Sequence, residues 1–90
     1  MTDHATHKGI EFASINIRDH YRRFIKKGFA PVALSKSVIR VWAKNGTAID
    51  FWPDAAPERR WQIVGQRKFH ESLTRFWRIM FSEKDRRSLK

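Results

Sequence analysis

Hydrophobic and polar positions alternate most regularly from residue 38 to residue 53, in two runs that flank an Asn-Gly pair. Asn-Gly between alternating runs is the strongest short-range signal for a β-hairpin. A two-residue turn would pair Lys44 with Thr47 and would mix charged and large apolar groups on both faces. A three-residue loop, with Gly46 left-handed as a bulge, pairs Ala43 with Thr47 instead.

The three-residue loop separates the side chains by polarity, and it is the register that we predict. One face then carries four apolar residues: Ile39, Val41, Ile49 and Phe51. The opposite face carries the remaining strand residues: Val38, Arg40, Trp42, Ala48, Asp50 and Trp52. Arg40 lies directly opposite Asp50, which predicts a cross-strand ion pair. Because a slip of one residue moves every side chain to the other face, such segregation is strong evidence for the register.

Apolar residues at helical spacing predict an amphipathic helix on each side of the hairpin in the chain. The first extends from Ile10 to Lys27, and its firmest part starts at Asn16, an N-cap candidate with an acidic residue three positions later. Gly28 suits the left-handed position after the helix, so that Phe29 packs back on Phe24. The second helix follows a polar loop, a short third strand at 61–64 and Gly65. Its core-facing stripe is Phe69, Leu73, Phe76, Trp77, Met80 and Phe81.

These elements predict a small α+β domain with the order α-β-β-(β)-α. An antiparallel sheet of two or three strands packs its apolar face against both amphipathic helices. Residues 1–9 are polar without periodicity and are expected to be a flexible arm, residues 10–82 form the domain, and residues 83–90 are a charged tail. The chain has no cysteine, which excludes disulfides and thiolate metal sites, and no apolar run approaches the roughly 20 residues of a membrane span.

Charge is the compositional feature that bears most on function. Nineteen Lys and Arg against nine acidic residues give a net charge of +10, and the excess is spread along the chain. A basic domain favours nucleic acid, an acidic protein or an anionic membrane as partner, and we expect no membrane. The first helix carries a basic stripe of Arg18, Arg22, Arg23, Lys26 and Lys27. Lys26 and Lys27 also suit the negative end of the helix dipole.

Aromatic side chains beside these charges indicate a possible mode of binding. Trp42 and Trp52 flank Arg40 on the polar face of the hairpin, and each nucleic-acid base stacked on an aromatic ring contributes roughly 1–3 kcal/mol. The basic stripe, with Arg59 and Arg60 in the loop after the hairpin, would add salt-dependent phosphate contacts. The alternative is that both tryptophans are covered, by the third strand, by the N-terminal arm or by a second subunit.

No catalytic constellation is evident in the chain. It lacks a Gly-rich phosphate loop, a Gly-x-Ser-x-Gly motif and a His-Glu-x-x-His motif. His4 and His7 have no third ligand nearby, so no metal site is predicted. His20 and His70 are more typical of satisfied, partly buried histidines than of catalytic ones. We therefore expect neither an enzyme nor a cofactor.

The chain resembles a group of short hypothetical proteins of bacteriophages and prophages. The resemblance rests on the helix end at Gly28-Phe29, the strand Val38 to Val41, the strand end Ile49-Asp50-Phe51-Trp52-Pro53, Trp61 and the helix from Gln66. The resemblance covers about two thirds of the chain and departs from the group at residues 54–60, which replace a shorter, Gly-containing turn. That group has no assigned activity. The resemblance implies a phage or mobile-element origin and a location in the cytoplasm of a bacterial host. Small accessory proteins of that origin commonly bind nucleic acid or disable host defence complexes.

Three functions follow as hypotheses. The first is a small basic accessory protein that binds nucleic acid through its Lys/Arg surface. The second is a phage-encoded protein–protein inhibitor of a host defence complex, similar to an anti-CRISPR protein, that uses the positive surface or a tryptophan hot spot. The third is a homodimeric interaction module joined through the aromatic face of the sheet.

Overall fold

The computed structural model describes residues 5–55 and 60–82, which form an α+β domain as the sequence predicts. The elements in chain order are β1 (Thr6–His7), β2 (Ile10–Glu11), α1 (Ile15–Lys26), β3 (Val32–Ala33), β4 (Ile39–Trp42), β5 (Ala48–Trp52), β6 (Arg60–Ile63), β7 (Phe69–His70) and α2 (Leu73–Met80). Strands β3 to β7 form an antiparallel sheet in that order, while β1 and β2 form a separate hairpin. The sheet therefore has more strands than the two or three predicted. No helix in these described ranges is long and apolar enough to cross a membrane.

The central hairpin has the predicted bulged register. The Ala43 N–H donates to the Thr47 carbonyl at 2.8 Å, and Gly46 adopts a φ of +90°. The cross-strand pairs are Ile39 with Phe51, Arg40 with Asp50, Val41 with Ile49 and Trp42 with Ala48. The predicted segregation of polar and apolar side chains is thereby confirmed.

One face of the five-stranded sheet forms the floor of the core. Its buried members are Ile39, Val41, Ile49, Phe51, Trp61 and Ile63. Both helices pack on this face, because the Phe51 ring stacks on Phe76 of α2 at 4.9 Å and meets Phe24 of α1 at 5.9 Å. The opposite side of the sheet, here called the outer face, carries the alternate residues of the same strands.

Helix α1 begins at Ile15, so the predicted start at Ile10, which lies in β2, was wrong, and the N-cap lies two residues before the predicted one. Ser14 is the N-cap, and its hydroxyl accepts the Ile17 N–H at 3.2 Å. The assignment of the cap to Asn16 was wrong, because its side-chain amide donates instead to the Pro53 carbonyl at 3.2 Å and to Asp54 Oδ1 at 2.6 Å. Asn16 thus ties the start of α1 to the end of β5, a long-range role that local capping rules do not include.

The end of α1 matches the prediction. The Phe29 N–H donates to the Phe24 carbonyl at 2.9 Å and the Gly28 N–H to the Ile25 carbonyl at 3.0 Å, the two bonds of a Schellman motif. Gly28 has a φ of +93°, which a residue with a Cβ adopts only under strain. This closure reverses the chain at the C-terminal end of α1.

Helix α2 is shorter than the sequence predicts. Phe69 and His70 form the edge strand β7, with Phe69 opposite Gln62, and the helix starts only after Ser72, whose hydroxyl accepts the Arg75 N–H at 3.2 Å. Placing Phe69 in the core-facing stripe was therefore wrong. Phe69 has the spacing of the α2 residues by coincidence, and pairing with β6 holds it in a strand.

The N-terminal hairpin differs from the expected arm at residues 1–9. Thr6–His7 pairs with Ile10–Glu11 around Lys8 and Gly9, which both have positive φ, at 48° and 88°. Lys-Gly is a weaker turn signal than Asn-Gly or Asp-Gly, so the pattern gave no indication of this hairpin. Residues 1–4 of the predicted arm and the tail at 83–90 lie outside the described residues.

Candidate nucleic-acid interface

The residues predicted to bind nucleic acid lie on opposite sides of the sheet. The helix side carries the basic stripe of α1: Arg18, Arg22, Arg23, Lys26 and Lys27. The outer face carries Arg40, Trp42, Trp52 and Arg60, because Arg60 pairs with Trp52 in the register of β5 and β6. Arg59 lies outside the described residues. The predicted set is thus two separate surfaces.

Arg40 on the outer face is already neutralised by a carboxylate. Its Nε donates to Asp50 Oδ1 at 2.7 Å and its Nη2 to Asp50 Oδ2 at 3.1 Å. This hydrogen-bonded contact raises the pKa of Arg40 above its usual value. A guanidinium engaged in this way has little capacity left for a phosphate.

The two tryptophans of the outer face differ in their surroundings. Trp42 is 41% exposed, as a stacking platform requires. Trp52 is half-buried and meets the edge of Phe69 at 5.5 Å, while the Arg60 guanidinium lies 5.2 Å from the centre of the same Phe69 ring. Arg60 Nε is buried and has no hydrogen-bond partner among the described residues. Trp61 of the third predicted strand does not cover these rings, because it is buried on the core face opposite Phe51.

Two of the five α1 cations have polar partners nearby. Arg18 pairs with Asp19 at 3.0 Å, and Arg22 Nε donates to His7 Nδ1 at 3.1 Å. Burial first, and then the charge of Arg22, lowers the pKa of His7, which keeps that ring neutral as an acceptor. The remaining three cations, nearer the C-terminal end of α1, stand beside α2.

Those three cations line an open pocket of about 660 Å³ together with two aromatic residues of α2. We call it the helix-side pocket, and it is lined by Arg23, Lys26, Lys27, Trp77 and Phe81. Lys27 Nζ lies 5.3 Å from the centre of the Trp77 ring, and Lys44 Nζ lies 5.3 Å from that of Phe81. A volume of this size is within the range of sites that hold small organic ligands.

Packing fixes the two rings at the mouth of this pocket. Trp77 rests against Phe24 at 5.5 Å and against Phe81 at 6.0 Å with nearly parallel rings. Phe81 also meets the edge of Phe29, which the Schellman closure turns back toward α2, at 5.3 Å. Phe81 nevertheless stays 42% exposed, so a ligand in the pocket can reach its ring.

The positive charges around the helix-side pocket outweigh the negative ends of the two helix dipoles. Both helices end here, and each C-terminus contributes about −0.5 of an elementary charge, together about −1. Four full positive charges stand against this: Arg23, Lys26, Lys27 and Lys44. Within residues 5–55 and 60–82, none of these four cations forms an ion pair. The two helix C-termini therefore offset only about one of the four positive charges, and the remaining three favour the binding of an anion.

Sequence reasoning found the cations of this pocket and missed its rings. The sequence assigned Trp77 and Phe81 to the buried stripe of a longer helix, and Lys44 to a turn. The contact between the ends of α1 and α2 is long-range, and no local spacing encodes it.

Comparisons with protein-family models, with curated proteins and with solved structures gave no match to this chain. The phage origin implied by the sequence resemblance thus stays a prediction. Within the ranges that the structure describes, no group of three or more His, Asp or Glu residues is placed to hold a metal ion.

Proposed function

We propose that this protein binds single-stranded nucleic acid at the helix-side pocket. Arg23, Lys26 and Lys27 contact consecutive phosphates, and one base packs against the exposed part of the Phe81 ring. The observation that carries this proposal is that three cations, which form no ion pair among the described residues, and an exposed aromatic ring line one concavity of about 660 Å³. Cations alone would suit any anion, whereas the rings add an affinity for a base.

The single-stranded form is favoured because a base must leave its stack to reach a ring. In a duplex the base faces lie inside the helix, and only a strand with unpaired bases can present them. Lys27 and Lys44 lie above the two rings, one at each, so the charge and the stacking surface are within the span of one nucleotide. The inhibitor hypothesis uses the same positive charge or an exposed tryptophan as a hot spot, and it stays a prediction.

The expected salt dependence follows from the number of phosphate contacts. Each contact to a single strand contributes about −0.7 to the slope of log K against log salt, so three or four contacts give about −2 to −3. Affinity then falls about 20- to 50-fold between about 50 and 200 mM salt. The stacked base adds about 1–3 kcal/mol that does not depend on salt.

Fluorescence anisotropy with a labelled oligo(dT) or oligo(U), titrated at several salt concentrations, tests the proposal. Lys26→Ala should make the slope less steep by about 0.7, and Phe81→Ala should weaken binding about 5- to 150-fold at an unchanged slope. Lys36→Ala, in the loop between β3 and β4, is the matched control for charge and should leave the slope unchanged. Trp42→Ala is the control for the outer face.

Three results would contradict this assignment. The absence of binding to either oligonucleotide at low salt would remove nucleic acid as the partner and favour the inhibitor hypothesis. Weakening by Trp42→Ala but not by Phe81→Ala would move the stacking site to the outer face. If Lys36→Ala changed the slope of log K against log salt as much as Lys26→Ala, the positive charge of the protein would act without a defined binding site.

A further inference from the structure

The outer face of the sheet concentrates the exposed apolar surface of this protein. Five large hydrophobic residues on it are each 40–47% exposed: Val32, Leu34, Trp42, Val64 and Phe69. They are five of the eight such residues in the described ranges. Their shared face follows from pairing, since Val32 lies opposite Arg40 and Phe69 opposite Gln62, both on the outer side.

Hydrogen bonds at the ends of the strands extend the same face. The Val64 N–H donates to the Ala48 carbonyl at 2.9 Å, which places Val64 in one row with Ala48 and Trp42. The Leu34 N–H donates to the Val38 carbonyl at 3.0 Å, which continues β3 past its last paired residue. The apolar residues therefore surround the centre of the face on several sides.

The centre of this face carries no net charge. Arg40 and Asp50 neutralise each other there, and their side chains are only 32% and 15% exposed. The remaining guanidinium, that of Arg60, lies over the Phe69 ring. In a chain of charge +10, the strands of the outer face thus contribute one guanidinium, that of Arg60, that forms no ion pair among the described residues.

We propose that the outer face is the interface between two copies of this chain. Two molecules of charge +10 approach each other only through surfaces that carry little net charge, and the cations of α1 lie on the opposite side of the sheet. A symmetric contact places equivalent apolar residues against one another. The Arg40–Asp50 pair is already partly covered, with side chains 32% and 15% exposed, so its burial costs less desolvation than that of two separate charges.

The size of the face sets the strength of the dimer. Five strands about 4.8 Å apart span roughly 19 Å, and three rows of residues with their side chains span roughly 20 Å along the strands. Each copy would then bury on the order of 400–500 Å², or about 800–1,000 Å² in total, which is below the roughly 1,200 Å² of stable specific interfaces and in the range of weak, transient ones. We expect a reversible dimer with a dissociation constant on the order of micromolar.

Sedimentation velocity of the full chain from about 1 to 300 µM, without nucleic acid, tests this dimer. The mean mass should rise from that of a monomer toward that of a dimer as concentration increases. Val64→Lys and Val32→Lys, on opposite edges of the face, should each keep the protein monomeric. Ile15→Lys is the matched control, because Ile15 is equally exposed at 44% but lies on α1; it should dimerise like the unaltered chain.

A monomeric mass at every concentration would overturn the proposal and leave the face for a different protein. A dimer that survives both valine substitutions would overturn it as well, since the contact would then lie elsewhere. Added salt should strengthen the dimer by screening the repulsion between the two chains, whereas salt weakens nucleic-acid binding. The two proposals therefore fail independently of each other.

Discussion

Trp61 has the largest fully buried side chain among the described residues. Its Nε1–H donates to the Ser72 carbonyl at 3.0 Å, and its ring stacks on His70 at 4.4 Å. Through these contacts Trp61 joins β6 to the start of α2. We predict that Trp61→Phe destabilises the fold, whereas Trp42→Phe on the outer face has little effect.

Two terms give the size of the effect. Phenylalanine is smaller by about 40 Å³, which at about 24 cal/mol per Å³ amounts to about 1 kcal/mol. The lost hydrogen bond adds about 1 kcal/mol, and not more, because the Ser72 carbonyl keeps its bond from the Phe76 N–H at 3.0 Å. The free energy of unfolding should therefore fall by about 2 kcal/mol, which for a domain of this size lowers Tm by roughly 8–16 °C.

Urea unfolding followed by far-UV circular dichroism measures this difference without relying on tryptophan fluorescence. The protein concentration should be kept low, so that dimerisation does not contribute to the midpoint. A loss below about 0.5 kcal/mol in Trp61→Phe, the ordinary range of surface substitutions, would refute the reasoning. An equal loss in Trp42→Phe would refute it too, because the two tryptophans would then not differ in burial.

Two further predictions concern the hairpin loop and the pH dependence. Gly46→Ala should destabilise the protein by about 1 kcal/mol, because the φ of +90° is strained for any residue with a Cβ. The added Cβ meets nothing within 4 Å, so backbone strain is the only cost. An unchanged thermal midpoint would contradict the bulged loop. Burial first, then Arg75 and Lys68, lowers the pKa of His70 in the folded protein below the 6.5 of the unfolded chain. The contribution of His70 to stability is complete above pH 6.5 and is lost as pH falls through the lowered folded pKa. His70→Gln should therefore show a smaller decrease in urea midpoint from about pH 7.5 to 5.5 than the unaltered chain. An identical decrease in both proteins would show that His70 does not cause the pH dependence.

Local chemistry predicted the central hairpin and the end of α1. Gly46 and Gly28 have backbone conformations that few other residues adopt, and the partition of polarity around Gly46 allows one register only. Both signals act over a few residues, where sequence spacing and spatial distance agree. For the same reason the Arg40–Asp50 pair was predictable, since a register fixes its cross-strand neighbours.

The errors arose where contacts distant in sequence decide the outcome. Phe69 fits the spacing of α2, yet pairing with β6 holds it in a strand. Asn16 is a good N-cap by type, yet its amide is engaged at the far end of β5. The candidate site illustrates the same limit, because the cations of α1 were identified but the nearby ring of Phe81 was not. Hydrophobic spacing reports that a side chain is apolar, and only the fold decides whether it is covered.

The separation of the two surfaces has a consequence for how binding and association influence each other. The helix-side pocket lies on one side of the sheet and the outer face on the other, so a dimer joined through the outer faces presents its two pockets outward. Phosphates bound there neutralise part of the positive charge that opposes association, and bound nucleic acid therefore favours the dimer. Because such coupling is reciprocal, the dimer must bind nucleic acid more tightly than the monomer by the same factor. A strand long enough to reach both pockets would gain further affinity from the second contact. On the two proposals taken together, the excess charge would limit self-association of the free protein, whereas bound nucleic acid would promote it.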